Sequence, residues 1–445
     1  MNHNDSRFKL TDVQARELSE QFGTPLYVLD ERTIRDRIRQ YVNALDRVYS
    51  KTEVSFAAKA NSTLAVLKIA SQEGATIDVA SEGELRAARK AGILASKCHV
   101  HGNNKKREEL KFALNLGVSH IAIDHFGEIE MIADLLEERS LDLTQTPSNT
   151  VFLLRLAPGV DPKTHARIST GQSDTKFGFN ITDGSAEKAL LRCLELDVPV
   201  DGVHCHVGSQ LMDEEAQRAA GEFLAEFAAN MKAKHGFVTN RIIVGGGLGA
   251  KYLDRDEPLP IREYCERIIQ AMQPILDKTD LEPIIGMEPG RSIVAEAGVT
   301  LYTIGVIKSV PISPGKTRTY VAIDGGLSDN PRPAMYEAKY QVQSTALNAP
   351  TSNNSVKGTQ TVTVCGKHCE TDTLFADVEL PSDLAPGDLV QVFSTGAYNS
   401  TMASNYNRYP RPATVLIRHN GAYEQIVRRD SWEEMFDKET VPGDL

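Results

Sequence analysis

The stretch VSFAAKANSTLAVLKIASQEGATIDVASEGELRAARKAG (54–92) decides the fold. It opens on an apolar run, VSFAA (54–58), and passes through a segment of helical spacing and helix formers, STLAVLKIASQEG. It then returns to a second run, ATIDVA (75–80), and enters a second helical segment, EGELRAARKAG. Both helical segments close on Gly, which tolerates the backbone that ends a helix. Strand and helix in alternation imply parallel pairing through crossovers. The rhythm continues with KCHVHG (97–102), HIAID (120–124), VFLLRLA (151–157), DGVHCHV (201–207), RIIVGGG (241–247) and PIIGMEP (283–289). Eight such runs predict an α/β chain with a (β/α)8 TIM-like barrel over 35–297, ahead of a doubly wound sheet.

The pattern changes after about residue 298. VTLYTIGVIKSV, TRTYVAIDG, TVTVCG, DLVQVFSTG and ATVLIRHNG read as strands bounded by Gly, Pro and Asn. They predict a C-terminal antiparallel β domain, a sandwich or barrel. TPLYVLD (24–30) also reads as a strand and is assigned to it, so 1–34 joins 298–445. NAPTSNNSVKGTQ (348–360) reads as a mobile loop, and DPKTHARISTGQSDTK (161–176) as a candidate active-site loop after the fifth run.

Composition narrows the function classes. The 445 residues are 41% hydrophobic and 24% charged, which suits a globular chain with a real core. Lys plus Arg is 49 against 60 Asp plus Glu, a net charge of −11, and no basic run offsets it. Such a chain repels a phosphate backbone, so nucleic acid is not the expected partner. No apolar stretch is long enough to span a membrane, and the polar start MNHNDSRFKL lacks the apolar core of a signal peptide. Six cysteines without a C-x-x-C are too few for a disulfide scaffold, so reduced thiols in the cytoplasm are expected.

Active sites of such barrels lie at the C-terminal ends of the strands. The first run ends in Lys59, within FAAKAN, where desolvation can depress an amine's pKa for Schiff-base chemistry. The plainer reading is a lysine snorkelling to solvent. The seventh run ends in GGGLGA (245–250) and the eighth in MEPGRS (287–292). Gly245, Gly246 and Gly247 with Pro289, Gly290 and Arg291 read as a phosphate cradle in preference to two tight turns. A dinucleotide fingerprint fits poorly, because the polar KYLDRDEPLP follows where a helix is needed. Glu288 can face a cationic ring nitrogen or pair with Arg291.

His204 and His206, two apart on the sixth run, share a strand face and can bind a metal, stack on a ring or fill the barrel. His101 and His125 end two other runs and prove nothing alone. CGKHCE (365–370) has no second pair of ligands, so structural zinc is a weak reading and no metal is assigned. Cys369 is either a proton donor or a buried thiol. Arg332 and Tyr336 in DNPRPAMYEA (329–338), with Tyr398 in GAYNSTMASNYN (396–407), make a grip for a carboxylate or phosphate. Lysine, cradle, carboxylate and thiol together are the parts that hold pyridoxal 5'-phosphate and return a proton to a carbanion.

FAAKAN, HVGSQ, GGGLG, EPGRSIV, the DGG-to-RPAMY stretch, GKHCE and GAY follow one another in an order that resembles the pyridoxal-phosphate-dependent amino-acid decarboxylases of the alanine-racemase-like fold. The resemblance runs from TPLYVLD at 24 to RPATVLI at 411–417. It implies that Lys59 holds the cofactor, that His206 stacks on its ring, and that Ser209, Gly247 and the 288–291 loop bind it. Glu288 would face the pyridine nitrogen, and Tyr398 would touch phosphate and substrate. Asp78 and Asp324 would support the site. The resemblance further implies a homodimer with shared active sites, in which Cys369, as proton donor, and Glu370 serve the partner's Lys59. The implied reaction is decarboxylation of meso-2,6-diaminopimelate to L-lysine and CO2. Arg291, Arg332 and Tyr336 would take the distal carboxylate and Glu370 the distal ammonium. The alternative is a related decarboxylase of ornithine, arginine, lysine or carboxynorspermidine. A metal-dependent hydrolase on His204 and His206, or a catalytically dead regulator, fits the motifs less well. The chain departs from the family at TDTLF (371–375) and at Asn399.

Overall fold

The computed structural model describes residues 6–141, 149–159, 175–345, 358–371 and 373–445. The loops expected at 161–176 and 348–360 lie outside these residues except for their last few positions. The chain divides into two compact units, one of residues 34–250 with 257–293, the other of 1–33, 251–256 and 294–445. The excursion at 251–256, the start of KYLDRDEPLP, carries no signal in the sequence.

The first unit is a closed parallel barrel. Its strands are β1 (Thr52–Ala57), β2 (Thr76–Val79), β3 (Cys98–Val100), β4 (His120–Ile123), β5 (Val151–Ala157), β6 (Val200–His204), β7 (Arg241–Ile243) and β8 (Ile284–Met287). They pair in that order, and β8 closes on β1 with Gly286 opposite Glu53. Closure rules out the doubly wound sheet. The strands are shorter than the apolar runs: β7 stops at Ile243 and β6 at His204. The glycines 245–247 and His206 are therefore loop residues beyond the strand ends.

Local chemistry explains the crossovers. After β2, Ser81 caps the helix Glu82–Lys90 by accepting from the Glu84 N–H at 3.2 Å, while Glu84 Oε2 accepts from the Ala80 N–H at 2.7 Å. Acidic residues open this helix and Arg89 and Lys90 close it, in line with its dipole. Leu85 and Ala88 are its buried face, and Gly92 follows at φ +77°. Helix Leu64–Gln72 buries Val66, Leu67, Ile69 and Ala70 in the same way.

The barrel interior is polar along its axis. Arg241 Nη1 meets Glu53 Oε2 at 2.7 Å, and Glu53 Oε1 meets His99 Nε2 at 2.7 Å. His99 also reaches Ser55 Oγ at 2.9 Å and stacks on His120 with ring centroids 3.8 Å apart. This column leads toward the C-terminal strand ends.

The second unit is a mixed sheet. Its order is Thr373–Pro381, Thr359–Cys365, Lys316–Ile323, Gly298–Ser313, Leu26–Asp30, Ala413–Ile417, Tyr423–Val427, with Leu389–Phe393 and Val342–Thr345 pairing off the long strand Gly298–Ser313. Leu26–Asp30, the early TPLYVLD run, pairs within this sheet. The antiparallel expectation needs correction at two pairings, since Leu26–Asp30 runs parallel to Ala413–Ile417 and Lys316–Ile323 parallel to Thr359–Cys365. Hairpin-like turn signals do not reveal which distant strands finally meet. Leu10, Leu18, Leu26, Val28, Leu301, Phe393 and Val415 form its core.

Candidate active site

Four strand ends of the barrel are drawn together by close backbone packing. Lys59 lies in the short turn Ala58–Ala60 just past β1, where Ala57 N–H donates to the Pro289 carbonyl at 3.1 Å. A Cβ on Gly290 would stand 2.9 Å from the Ala60 Cβ and 3.1 Å from the Ala57 Cβ, so the loop after β8 lies directly on the Lys59 turn. A Cβ on Gly245, which has φ +74°, would stand 2.5 Å from the Cys205 carbonyl and 3.0 Å from His206 Nδ1. One on Gly246 would collide with the Glu288 carbonyl. The glycines thus meet a packing demand of their own at the mouths of β6, β7 and β8. Among the described residues, the N–H groups of Gly246, Gly247 and Gly290 donate to no acceptor. Such donors suit an anion. Arg291 Nε donates to Ser209 Oγ at 3.1 Å, joining the loops after β6 and β8.

Lys59 itself is exposed although both its neighbours are buried. The desolvation expected at this strand end is therefore not supplied by the chain itself. Its charge instead bears on Asp78, Glu84 and His206.

Glu288 is buried and does not pair with Arg291. Its Oε2 lies 2.9 Å from His204 Nε2 and its Oε1 3.1 Å from His101 Nε2. His101 Nε2 is also 3.5 Å from Asp78 Oδ1. Burial alone would raise the Glu288 pKa, but His204 and His101 outweigh it and hold the carboxyl well below its ordinary range. Burial opposes a charge on His101, yet Asp78 and Glu288 raise its pKa. Burial pushes His204 down to about 4 against the pull of Glu288. Asp78 is raised, chiefly by burial. Burial and then the Lys59 charge lower His206. These shifts favour the anion on Glu288, the neutral ring on His204 and the charged form of His101.

His204 and His206 do not act as a pair, because β6 ends between them. His204 joins His101 and Glu288, whose donor atoms lie within 4.8 Å of one another. His125 caps the following helix by accepting the Glu128 N–H at 3.2 Å. Sequence reasoning missed Arg155, the one charge inside VFLLRLA. It is buried, sits 3.7 Å from Asp124 Oδ1 and lies over the Phe177 ring at 4.2 Å. Its charge bears on Glu288 and Asp78. A lone cation inside an apolar run was the available signal.

The other candidates belong to the β unit. Arg332 is buried, and its Nε donates to Tyr340 Oη at 2.7 Å. Its guanidinium carbon lies 5.8 Å from the Tyr252 ring centre, 5.3 Å from that of Tyr336 and 5.6 Å from that of Tyr398. No carboxylate pairs with it among the described residues. Tyr398 takes φ +59°, a conformation rare for a residue with a side chain. Cys369 and Glu370 are exposed, which excludes the buried-thiol reading. Their segment is anchored by the Lys367 N–H on the Gly325 carbonyl at 3.0 Å, by the Cys369 N–H on Asn407 Oδ1 at 3.2 Å, and by Tyr406 Oη on Glu370. Asp324 accepts from Thr24 Oγ1 at 2.6 Å and from the Thr303 N–H at 2.9 Å within the same unit.

Residues 31–295 match the pyridoxal binding domain of the pyridoxal-dependent decarboxylases. The diaminopimelate decarboxylase of Bacillus subtilis (strain 168) is 41% identical over 426 residues, which are 95% of this chain and 93% of that protein. The chain belongs to the diaminopimelate decarboxylase family. Solved structures agree. The diaminopimelate decarboxylase of M. jannaschii in co-complex with L-lysine superposes with a TM-score of 0.87 at 34% identity, over 99% of this chain and 98% of that one. The Helicobacter pylori diaminopimelate decarboxylase complexed with L-lysine gives 0.83 at 29% identity, over 95% and 98%. The cofactor of the family is pyridoxal phosphate. The barrel mouth fits it: an exposed amine on Lys59, an anionic Glu288, and unpaired N–H donors on three glycines are what an aldehyde, a pyridinium and a phosphate require. No described helix is long and apolar enough to cross a membrane.

Proposed function

We propose that this chain decarboxylates meso-2,6-diaminopimelate to L-lysine and CO2. The observation that carries the substrate is Arg332, a buried guanidinium caged by tyrosines and, among the described residues, left without a carboxylate. A buried cation of this kind requires an anion, and a planar guanidinium takes a carboxylate in bidentate fashion. Diaminopimelate brings such a carboxylate at its distal end, and lysine and ornithine do not.

Bound pyridoxal phosphate supplies the electron sink for the pair released when the C–COO⁻ bond breaks. Lys59 would hold the cofactor's aldehyde carbon at the mouth of β1. Glu288 would accept a hydrogen bond from the pyridine N–H and keep that proton in place. His206 would stack on the ring, and Ser209, Arg291 and the glycine loops of 245–247 and 290 would take the phosphate. Tyr336 and Tyr398 wall the Arg332 guanidinium, and Glu370 takes the distal ammonium. CO2 leaves, and the carbon that lost it takes one proton from Cys369, so substrate plus a proton yields lysine plus CO2.

The chain works as a homodimer in which Cys369 and Glu370 complete the partner's site. Their exposure on an anchored segment supports this reading. Six free thiols suit the reducing cytoplasm. The test is CO2 release by the cofactor-loaded protein from meso-diaminopimelate, L-lysine, L-ornithine, L-arginine and carboxynorspermidine. Release from diaminopimelate with lysine as product is expected. Release from another member of the panel alone overturns the substrate.

A further inference from the structure

Glu288 differs from an ordinary buried carboxylate in having an imidazole from another strand end against each oxygen, one in a hydrogen bond and one in ion-pair contact. His204 approaches Oε2 at 2.9 Å from the end of β6, and His101 approaches Oε1 at 3.1 Å from just past β3. The two rings lie 4.6 Å apart, tilted by 54°. Asp78 on β2 reaches the same His101 Nε2 at 3.5 Å. His204 is 1% exposed and the other three between 5% and 6%, so water does not compete for these contacts. The further groups bearing on the cluster are Lys59 past β1, Glu84 past β2, His99 on β3, His120 on β4, Arg155 on β5, and Cys205 and His206 past β6.

We propose that His101 and His204 are positioning residues that clamp Glu288 as an oriented anion and thereby keep the cofactor's pyridine nitrogen protonated. This rests on the reading above, in which Glu288 faces that nitrogen. The physical need is plain. A carboxylate taken out of water without donors takes up a proton, and a neutral carboxyl no longer favours a pyridinium. The His204 hydrogen bond at Oε2 and the His101 contact at Oε1 together hold the plane of the carboxylate, which one contact alone does not do. The two imidazoles play different parts. His204 works as a neutral N–H donor, while His101 sets its Nε2 between two carboxyl groups, Glu288 at 3.1 Å and Asp78 at 3.5 Å. The clamp therefore adds an anion to the ring nitrogen without leaving the barrel interior strongly charged.

The test uses the full-length protein loaded with pyridoxal phosphate carrying ¹⁵N in its ring. The ring nitrogen's chemical shift reports its protonation without reference to turnover. We expect protonation throughout about pH 6 to pH 9 in the unaltered protein. In His101→Asn/His204→Ala the titration midpoint should fall by about one to two pH units, the shift that a nearby opposite charge typically produces. His204→Gln returns an N–H donor at a similar reach and should restore most of the shift. A merely structural histidine would lower the melting temperature and leave the ring nitrogen unmoved. If the double variant does not fold, the single variants His204→Ala and His204→Gln make the same comparison. A ring nitrogen equally protonated in the alanine and glutamine variants overturns the inference. Borohydride reduction followed by peptide mass separates the two readings. Failure to label Lys59 in the unaltered protein removes the cofactor assignment itself, and this inference with it. Labelled Lys59 with an unmoved nitrogen removes the inference alone.

Discussion

Replacing Arg332 with Ala tests the substrate assignment most directly. Among the described residues its guanidinium has one hydrogen bond, to Tyr340 at 2.7 Å, and three tyrosine rings at 5.3 to 5.8 Å. Removing one member of a buried, hydrogen-bonded charge pair costs about 2–5 kcal/mol of binding. At roughly 1.4 kcal/mol per factor of ten, kcat/KM for meso-diaminopimelate should drop by about 30-fold to a few thousand-fold. Amino acids without a distal carboxylate do not use the pair, so any activity on L-lysine or L-ornithine should hold or rise. The change also removes three cation–π contacts at about 0.5–1 kcal/mol each and a hydrogen bond of about 1 kcal/mol. The variant must therefore be assayed well below its own melting temperature. Arg332→Lys keeps the charge and loses the planar fork, and should fall between the two. A folded Arg332→Ala protein with undiminished kcat/KM for meso-diaminopimelate, and an unchanged preference for it, would refute the reasoning.

Three further outcomes follow from named contacts. Lys59→Ala should lose both the visible absorption of bound cofactor and CO2 release, and retention of both would sink its role. Lys59→Ala and Cys369→Ala chains, each inactive, should recover about a quarter of the normal activity when mixed and allowed to exchange subunits, because half the dimers then carry one intact site; no recovery counts against shared sites. Glu53→Gln probes the lower end of the barrel. Burial works to raise the Glu53 pKa, but His99 and Arg241 bring it down from 4.5 to about 2. A carboxyl lowered on folding stabilises fully above its unfolded value, and that stability is lost as pH falls from about 4.5 toward 2. The stability gap between the unaltered protein and Glu53→Gln should thus reach at most about 3 kcal/mol at neutral pH and narrow below about pH 4 in urea titrations. A gap independent of pH would contradict the ion pair.

Much of the site was legible residue by residue. Lys59 closes an apolar run, and Glu288 stands in the loop after another. GGGLGA and MEPGRS are the glycine-bearing turns that a barrel places at its C-terminal face. These are local signals, readable from period and punctuation. His101 was seen and given no role, and Arg155 was passed over inside VFLLRLA. What gives each its role is a neighbour from another strand: Glu288 for His101, Asp124 and Phe177 for Arg155. The pairing of His204 with His206 failed for a similar reason. Alternation holds only while the strand lasts, and β6 ends at His204. In the β unit, strand positions were readable, but the two parallel pairings were not, since either hand of pairing suits the same alternating residues.

By itself the sequence determined the eight-unit barrel, the later sheet strands and the loops that carry the chemistry. Helix and strand periodicity, caps and glycine turns act over a few neighbouring residues, so the chain order records them. The tertiary structure alone decided which charges exist at the site. Imidazoles from distant strands meet Glu288 away from water and favour its anion, and among the described residues Arg332 is surrounded by tyrosines and no carboxylate. Protonation in a buried site depends on what surrounds a group in space, and closing the barrel is what brings those surroundings together.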